Sequence, residues 1–275
     1  MSEPGAGAPF RLITIPFSHY CEKARWALDR AGVPYREETY PPLGHAVPAL
    51  RAGGGRTVPV LVTRAGALGD STDILRYADE FVPAEHALFF REPDPRRDDV
   101  ASLEERFDRE LGPATRRVVY HHLLPDEALS YTLLARSFPT PEGAAAPFWL
   151  RRGAFRAYFP AVRALMNRAM RIDAASAERS RGRIRAVFDA VNERLRDGRP
   201  FLAGDRFSAA DLTFASLAAP ALLPEGYPVP LPVPGDLPAA LRALVEALRA
   251  EPAGAFALRL YREQRALKVG ETRAA

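Results

Sequence analysis

The spacing of apolar and polar residues changes character about a third of the way along the chain. Residues 10–15 are apolar and β-branched, which suits a strand, and Pro16 ends it. Ser18 is a good N-cap. Behind it Cys21, Ala24, Leu28 and Ala31 recur at helical spacing, and Gly32 stands where a C′ residue belongs. Residues 35–40 predict a second strand, broken by Pro41-Pro42-Leu43-Gly44. A short helix over 47–52 leads into Gly53-Gly54-Gly55, then a third strand over 58–63. Proline inside a central strand cannot donate to the ladder, so Val58-Pro59 is read as a cis bend at the strand's start. Ala65-Gly66 is a turn and 67–69 a short fourth strand, after which Asp70 caps a helix to about Phe81. The order is βαβ followed by ββα, with the second strand pair antiparallel.

Pro83 opens a linker whose core is Glu92-Pro93-Asp94-Pro95-Arg96-Arg97. Beyond it the period is helical throughout. One long amphipathic helix is predicted over 98–124, interrupted by Pro125, with 126–137 continuing it. A proline-bearing loop fills 138–147. Helical tracts follow over 148–172, bent at Pro160, and over 173–196, ending at Asp197-Gly198. Ser208 starts another, with Phe207 and Leu212 as a hydrophobic staple. A proline-rich coil over 222–236 precedes closing helices over 237–250 and 253–267, and no internal repeat is visible. The pattern predicts an α/β domain over 10–83 joined to a larger all-α domain over 96–270.

Composition narrows the function classes. The 275 residues are 47% hydrophobic, enough for a real core, so global disorder is excluded. The 38 basic and 34 acidic side chains are interleaved rather than clustered, which predicts solvated helix faces and no nucleic-acid partner. Arginine supplies nearly all the positive charge, Lys23 and Lys268 being the only lysines. The single cysteine, Cys21, excludes a disulfide framework or a cysteine-built zinc site within one chain. His121-His122 suggests a metal at first sight, but adjacent helix residues point about 100° apart, so plain packing is expected and no metal. Phe148, Trp149, Phe155, Tyr158 and Phe159 read as core. Residues 1–9 lack an apolar run after a basic start, so they do not read as a signal peptide. Apolar runs such as 212–223 fall short of the roughly 20 residues a bilayer needs. A soluble cytoplasmic protein with no membrane partner is expected.

Four segments, in order, resemble the cytosolic glutathione S-transferase family. They are Ser18-His19-Tyr20-Cys21 where loop becomes helix, Thr57-Val58-Pro59-Val60-Leu61, Gly69-Asp70-Ser71-Thr72-Asp73-Ile74, and Gly204-Asp205-Arg206-Phe207-Ser208-Ala209-Ala210-Asp211. The resemblance implies a thioredoxin-like domain, glutathione as co-substrate, a small apolar electrophile as partner, and a homodimer. Ser18 occupies the position of the catalytic serine in serine-type members, where the hydroxyl donates to the thiolate of glutathione and lowers its pKa. Read without the resemblance, Ser18 is an N-cap worth roughly 0.5–2 kcal/mol. A helix start favours thiolate, yet Cys21 lies one turn in, on the apolar face, so inert packing is expected over a redox role.

The resemblance also implies that the backbone of Val58, exposed by the cis Pro59, pairs with the cysteinyl part of glutathione. Asp70 and Ser71 would hold the γ-glutamyl end at a helix N-terminus, where their plain reading is a helix cap. Arg56, and more weakly His45, would meet the glycine carboxylate, with Thr57 beside them; Arg56 also reads as a solvated charge on a Gly-rich loop. The expected activity is activation of the glutathione thiol for attack on an apolar electrophile. A non-catalytic ligand- or protein-binding member and a glutathione-dependent reductase or peroxidase stay open. The helical half is longer than the family's usual, the surplus lying at about 124–175. The long helix is expected to pass over Ser18, offering Tyr120, His121 and Tyr131 as polar tips in an apolar wall, with 138–159 as a lid or a partner surface.

Overall fold

A computed structural model describes residues 10–138, 145, 147 and 150–269. The expectations for residues 1–9, for most of the loop 138–147 and for Phe148 and Trp149 lie outside the described residues. The first elements are β1 (Phe10–Thr14), α1 (His19–Arg30), β2 (Tyr35–Thr39), α2 (Ala46–Arg51), β3 (Val60–Thr63), β4 (Gly66–Leu68) and α3 (Ser71–Ala78). The sheet order is β2-β1-β3-β4. β1 runs parallel to β2, which requires a crossover, and α1 supplies it. β1–β3 and β3–β4 are antiparallel. Gly32 ends α1 with φ +66°, the left-handed conformation expected of a C′ residue.

The strand period of two sorts side chains onto two faces. Leu12 and Leu61 face α1 and α3 and join Leu28, Ile74 and Leu75 in the main core. Ile13 and Val60 face the other way and pack with Ala49 of α2.

The remainder is helical: α4 (Arg97–Arg106), α5 (Gly112–Leu123), α6 (Glu127–Ser137), α7 (Arg152–Met170), α8 (Ala174–Arg194), α9 (Ala209–Leu222), α10 (Ala239–Ala250) and α11 (Pro252–Glu263). The single helix predicted over 98–124 is two helices with a π-helical turn, Phe107–Leu111, between them. Pro113 gives the reason. It has no N–H for the carbonyl four residues back, and the wider turn before it absorbs the missing bond. α7 carries Pro160 in its interior. The stretch expected to be surplus, 124–175, carries α6 and α7, which build their own apolar cluster from Leu124, Leu134, Phe155, Phe159 and Met166. Phe155 and Phe159 stack at 4.5 Å, core residues as expected.

α9 is the hub. It is apolar all round and buried on nearly every side. Its capping box is made by Asp211, which accepts from Ser208 N at 2.9 Å and Ser208 Oγ at 2.7 Å. Asp211 also accepts from Leu202 N at 2.7 Å. Phe214 and Leu217 of α9 share one core with Trp26 and Leu28 of α1. A buried charge cluster crosses the same seam: Lys23 Nζ of α1 lies 2.6 Å from Glu104 Oε1 and 2.6 Å from Asp108 Oδ1, and donates to Thr72 Oγ1 at 2.9 Å. Among the described residues, no helix is long and apolar enough to cross a membrane.

Candidate functional site

The chain turns from β1 into α1 over residues 15–18. Ser18 N donates to Ile15 O at 3.0 Å, and Ser18 O accepts from Glu22 N at 2.9 Å. The Ser18 hydroxyl accepts from Cys21 N at 3.4 Å, a long cap bond. Cys21 is fully buried. Burial pushes its thiol up, against smaller opposing effects of Arg25 and the Ser18 hydroxyl. That is an inert thiol, not an exposed attacking one.

A second group of predicted residues gathers across from α1. The Val58-Pro59 bond is cis. Pro59 is buried, Val58 half-buried, and Arg56 and Thr57 exposed. The ring of His45 lies against the backbone of Pro41 and Arg56, and burial lowers its pKa, so the two candidates for a carboxylate are neighbours. Asp70 caps α3, accepting from Thr72 N at 2.8 Å and more weakly from Asp73 N at 3.4 Å. Ser71 is buried at the first position of that helix, where free amides and the dipole favour an anion. Gly69 brings the two loops together: a Cβ there would lie 2.3 Å from Gly54 O. Thr72, bonded to Lys23, ties the start of α3 to α1.

The residues flanking Ser18 face a cavity. Phe17 and His19 line it from below, and Arg116, Tyr120 and Leu123 of α5 close it from above. Pro220, Leu223, Tyr227, Leu237 and Leu241 complete walls that are almost wholly apolar around about 580 Å³, part of it open to solvent. Ser18 itself lines neither this cavity nor the next, its hydroxyl being spent on the cap. His19 Nε2 lies 3.0 Å from Gly112 O, and since a carbonyl only accepts, that nitrogen carries the proton. Burial first, and the Arg116 charge second, hold the His19 pKa at about 3, so the ring is neutral. Tyr20 OH donates to Asp108 O at 2.9 Å, and Gly112 leaves room for it, since a Cβ there would lie 2.3 Å from that oxygen.

Behind Phe17 and Tyr120 lies a second cavity of about 540 Å³, similarly open, bounded by Pro41, Pro42, Leu133, Leu134, Phe159, Val162 and Met166. α5 does pass over the start of α1, and Tyr120 lines both cavities. His121 and Tyr131 line neither, which corrects that expectation. Tyr131 packs on Phe155 at 5.3 Å instead, because α6 turns that face toward α7. His122 meets Arg181 at 3.0 Å. Sequence reasoning missed Phe17, His19 and Arg116 as cavity residues. Arg116 was within reach, since it stands four residues before Tyr120, on the same helix face. Among the described residues no three His, Cys, Asp or Glu side chains converge as metal ligands.

Comparison with known proteins decides the family. The model described as "Glutathione S-transferase, N-terminal domain" matches residues 12–86, and "Glutathione S-transferase, C-terminal domain" matches 174–250, together more than half of the chain. The chain belongs to the glutathione S-transferase family. Solved structures agree on the fold. Glutathione transferase F2 from Populus trichocarpa is 16% identical, with 92% of this chain and 99% of that chain covered and a TM-score of 0.54. Gtt2 from Saccharomyces cerevisiae is 21% identical, covering 90% and 100%, at a TM-score of 0.53. A glutathione S-transferase-I bound with lactoylglutathione is 17% identical, covering 92% and 100%, at 0.51. No curated protein sequence matches the chain. The fold is thus the α/β thioredoxin-like unit with a larger all-helical part that the sequence predicted. In this glutathione S-transferase family member the two family models leave 87–173 unmatched, the stretch that carries α4 to α7.

Proposed function

We propose that the protein is a glutathione transferase that activates the glutathione thiol at the start of α1 and delivers it to an electrophile in the cavity above. One observation carries this reading: the residues on both sides of Ser18 form a wall of the apolar cavity that α5 closes. A sulfur held at Ser18 would lie between two residues of that wall. Arg56, with His45 behind it, would meet the glycine carboxylate, and Thr57 would add a hydroxyl. The backbone of Val58, set by cis Pro59, would pair with the cysteinyl amide. Asp70 would face the γ-glutamyl ammonium, and Ser71 at the α3 N-terminus its carboxylate.

In this scheme the Ser18 hydroxyl turns from its long cap bond and donates to the thiolate sulfur. That favours the charged form and leaves the thiol proton to solvent. The sulfur lone pair attacks the electrophilic carbon. A C–S bond forms, and either the leaving group departs with its electron pair or the adduct takes up a proton. His19 is no proton acceptor here, its pKa being about 3. Placement of both reactants supplies much of the acceleration. The lactoylglutathione held by a structural neighbour is consistent with this site. The fully buried Cys21 speaks against the reductase reading. The same reading includes a division at the linker into domains 10–83 and 96–270, a homodimer, a cytoplasmic location, and no metal.

Ser18→Ala tests it. The thiolate absorbance of bound glutathione, titrated with pH, should shift to higher pH in the variant, with the far-ultraviolet circular dichroism unchanged. An identical titration in both proteins would remove Ser18 from the mechanism. If neither protein lowers the thiol pKa below its free value, the chain is the non-catalytic binding member instead.

A further inference from the structure

We propose that the ligand of the first cavity carries an anionic group, a carboxylate or sulfonate on an apolar skeleton, and that Arg116 binds it. The inference rests on reading that cavity as the acceptor site. Arg116 lines it from α5. Its guanidinium has no carboxylate, carbonyl or hydroxyl partner among the described residues. Its Cζ lies 6.0 Å from the centroid of the Tyr20 ring. The adjacent Arg117 shows what a structural arginine looks like in this helix: it donates to Met170 O at 3.1 Å and to Ser180 Oγ at 2.8 Å. A half-buried cation among apolar walls is costly unless something neutralises it.

The other polar groups of the cavity are already engaged or weak. His19 is neutral and donates to Gly112 O. Tyr227 OH donates to Phe17 O at 3.2 Å. Tyr120, four residues beyond Arg116, has a hydroxyl with no hydrogen-bond partner among the described residues, so it is a second donor on the same helix face. An arginine fork can take two oxygens of a carboxylate or sulfonate, and the hydroxyl beside it can donate to one of them. Among the described residues, no acidic side chain lines the cavity to compete. The glutathione carboxylates are assigned elsewhere, to Arg56 and to Ser71, so the anion sought by Arg116 belongs to the second ligand.

The test uses the full chain and two fluorescent probes of one skeleton: 8-anilinonaphthalene-1-sulfonate, which is anionic, and N-phenyl-1-naphthylamine, which is not. Arg116→Gln should weaken the sulfonate by about ten- to hundredfold, the range for a hydrogen-bonded charge, and the neutral probe by about twofold at most. Arg116→Lys should fall between wild type and Arg116→Gln, and glutathione affinity by calorimetry should hold in both. Equal losses for the two probes, or an undiminished sulfonate, would overturn the proposal. So would a sulfonate that fails to bind the wild type. A fall in glutathione affinity without a change in sulfonate binding would overturn it too, moving Arg116 into the glutathione site. Because the probes need no thiol chemistry, a failed Ser18 titration with intact probe discrimination would sink the transferase reading and leave this one standing.

Discussion

At the starts of α1 and α3 the groups proposed to hold glutathione are mostly fixed by the backbone: a capped turn, a cis bend and the free amides of a helix end. Across the cavity, from α5 to α7, every group is a side chain on a helix face: Arg116, Tyr120, Phe159, Val162, Met166. The two regions also differ in how the family constrains them. Residues 12–86 match a family model, and 87–173 match none. A backbone-built site tolerates little change, since moving it means moving a strand or helix end. A wall of side chains can be rewritten one residue at a time. The proposed division of labour is of this kind: the first region would hold glutathione, and the second would decide what it meets.

The largest test of that division lies at its seam. Lys23 of α1 is fully buried between Glu104 and Asp108 of the helical part. Lys23→Ala leaves the buried Glu104 carboxylate without its cation, which costs about 3–5 kcal/mol. Urea unfolding should show that loss as a lower midpoint. A cost below about 1 kcal/mol would mean the two regions are not joined through this cluster.

Gly69→Ala comes next. The new Cβ would meet Gly54 O, a backbone atom that cannot swing away. Overpacking of this kind costs about 1–3 kcal/mol. It should also separate the Arg56–Pro59 loop from Asp70 and Ser71. Glutathione affinity should therefore fall in calorimetry while the two naphthalene probes bind as before. Loss of both together would show that the regions are one site.

The fold was legible because its signals are local. Ser18, Gly32, Asp70 and Ser208 are caps or stops that act within a few residues, and each stands where it was expected. Cis Pro59 was legible because a proline in a strand leaves few other choices. The π turn before Gly112 was not, since Gly112-Pro113 reads equally well as a helix continued and as a helix broken. The cavity was legible only in part. Tyr120 could be placed by helix phase, and the same phase turns His121 about 100° off that face. Tyr131 could not be placed, because the phase of α6 against α7 depends on packing far along the chain. His19 and Arg116 line one cavity from nearly a hundred residues apart in sequence, and no spacing rule joins them.

The His19 contact gives a pH test of whether α5 is locked onto α1. The ordinary histidine value is 6.5, and burial holds this one at about 3. The unfolded chain takes up a proton below 6.5 and the folded chain does not. The contribution to stability is complete above that pH and is lost as pH falls, by about 1.4 kcal/mol at pH 5.5. His19→Asn keeps a donor for Gly112 O without the titration. Its unfolding free energy should change less between pH 7 and 4 than that of the wild type. Parallel profiles would show that His19 is solvated and that α5 stands off the site.

The smallest effect bears on the two cavities themselves. They share Phe17, Tyr120, Leu123 and Leu133, so a ligand seated in the first can extend into the second. Tyr158 and Phe159 line that second space, where the lid reading of the 138–159 stretch would put them. Val162→Phe adds bulk from α7 into the second cavity, whose lining includes none of the residues assigned to glutathione. Filling existing space rather than a packed core should cost stability less than about 1 kcal/mol. If the second cavity receives the far end of a large electrophile, kcat/KM for bulky electrophiles should fall by about tenfold, an apparent 1.4 kcal/mol, while small ones change by about twofold at most. Equal losses for both sizes would merge the cavities into one. No loss for either would make the second cavity a packing void of α6 and α7, and the unmatched stretch would then owe its extra helices to something other than the acceptor.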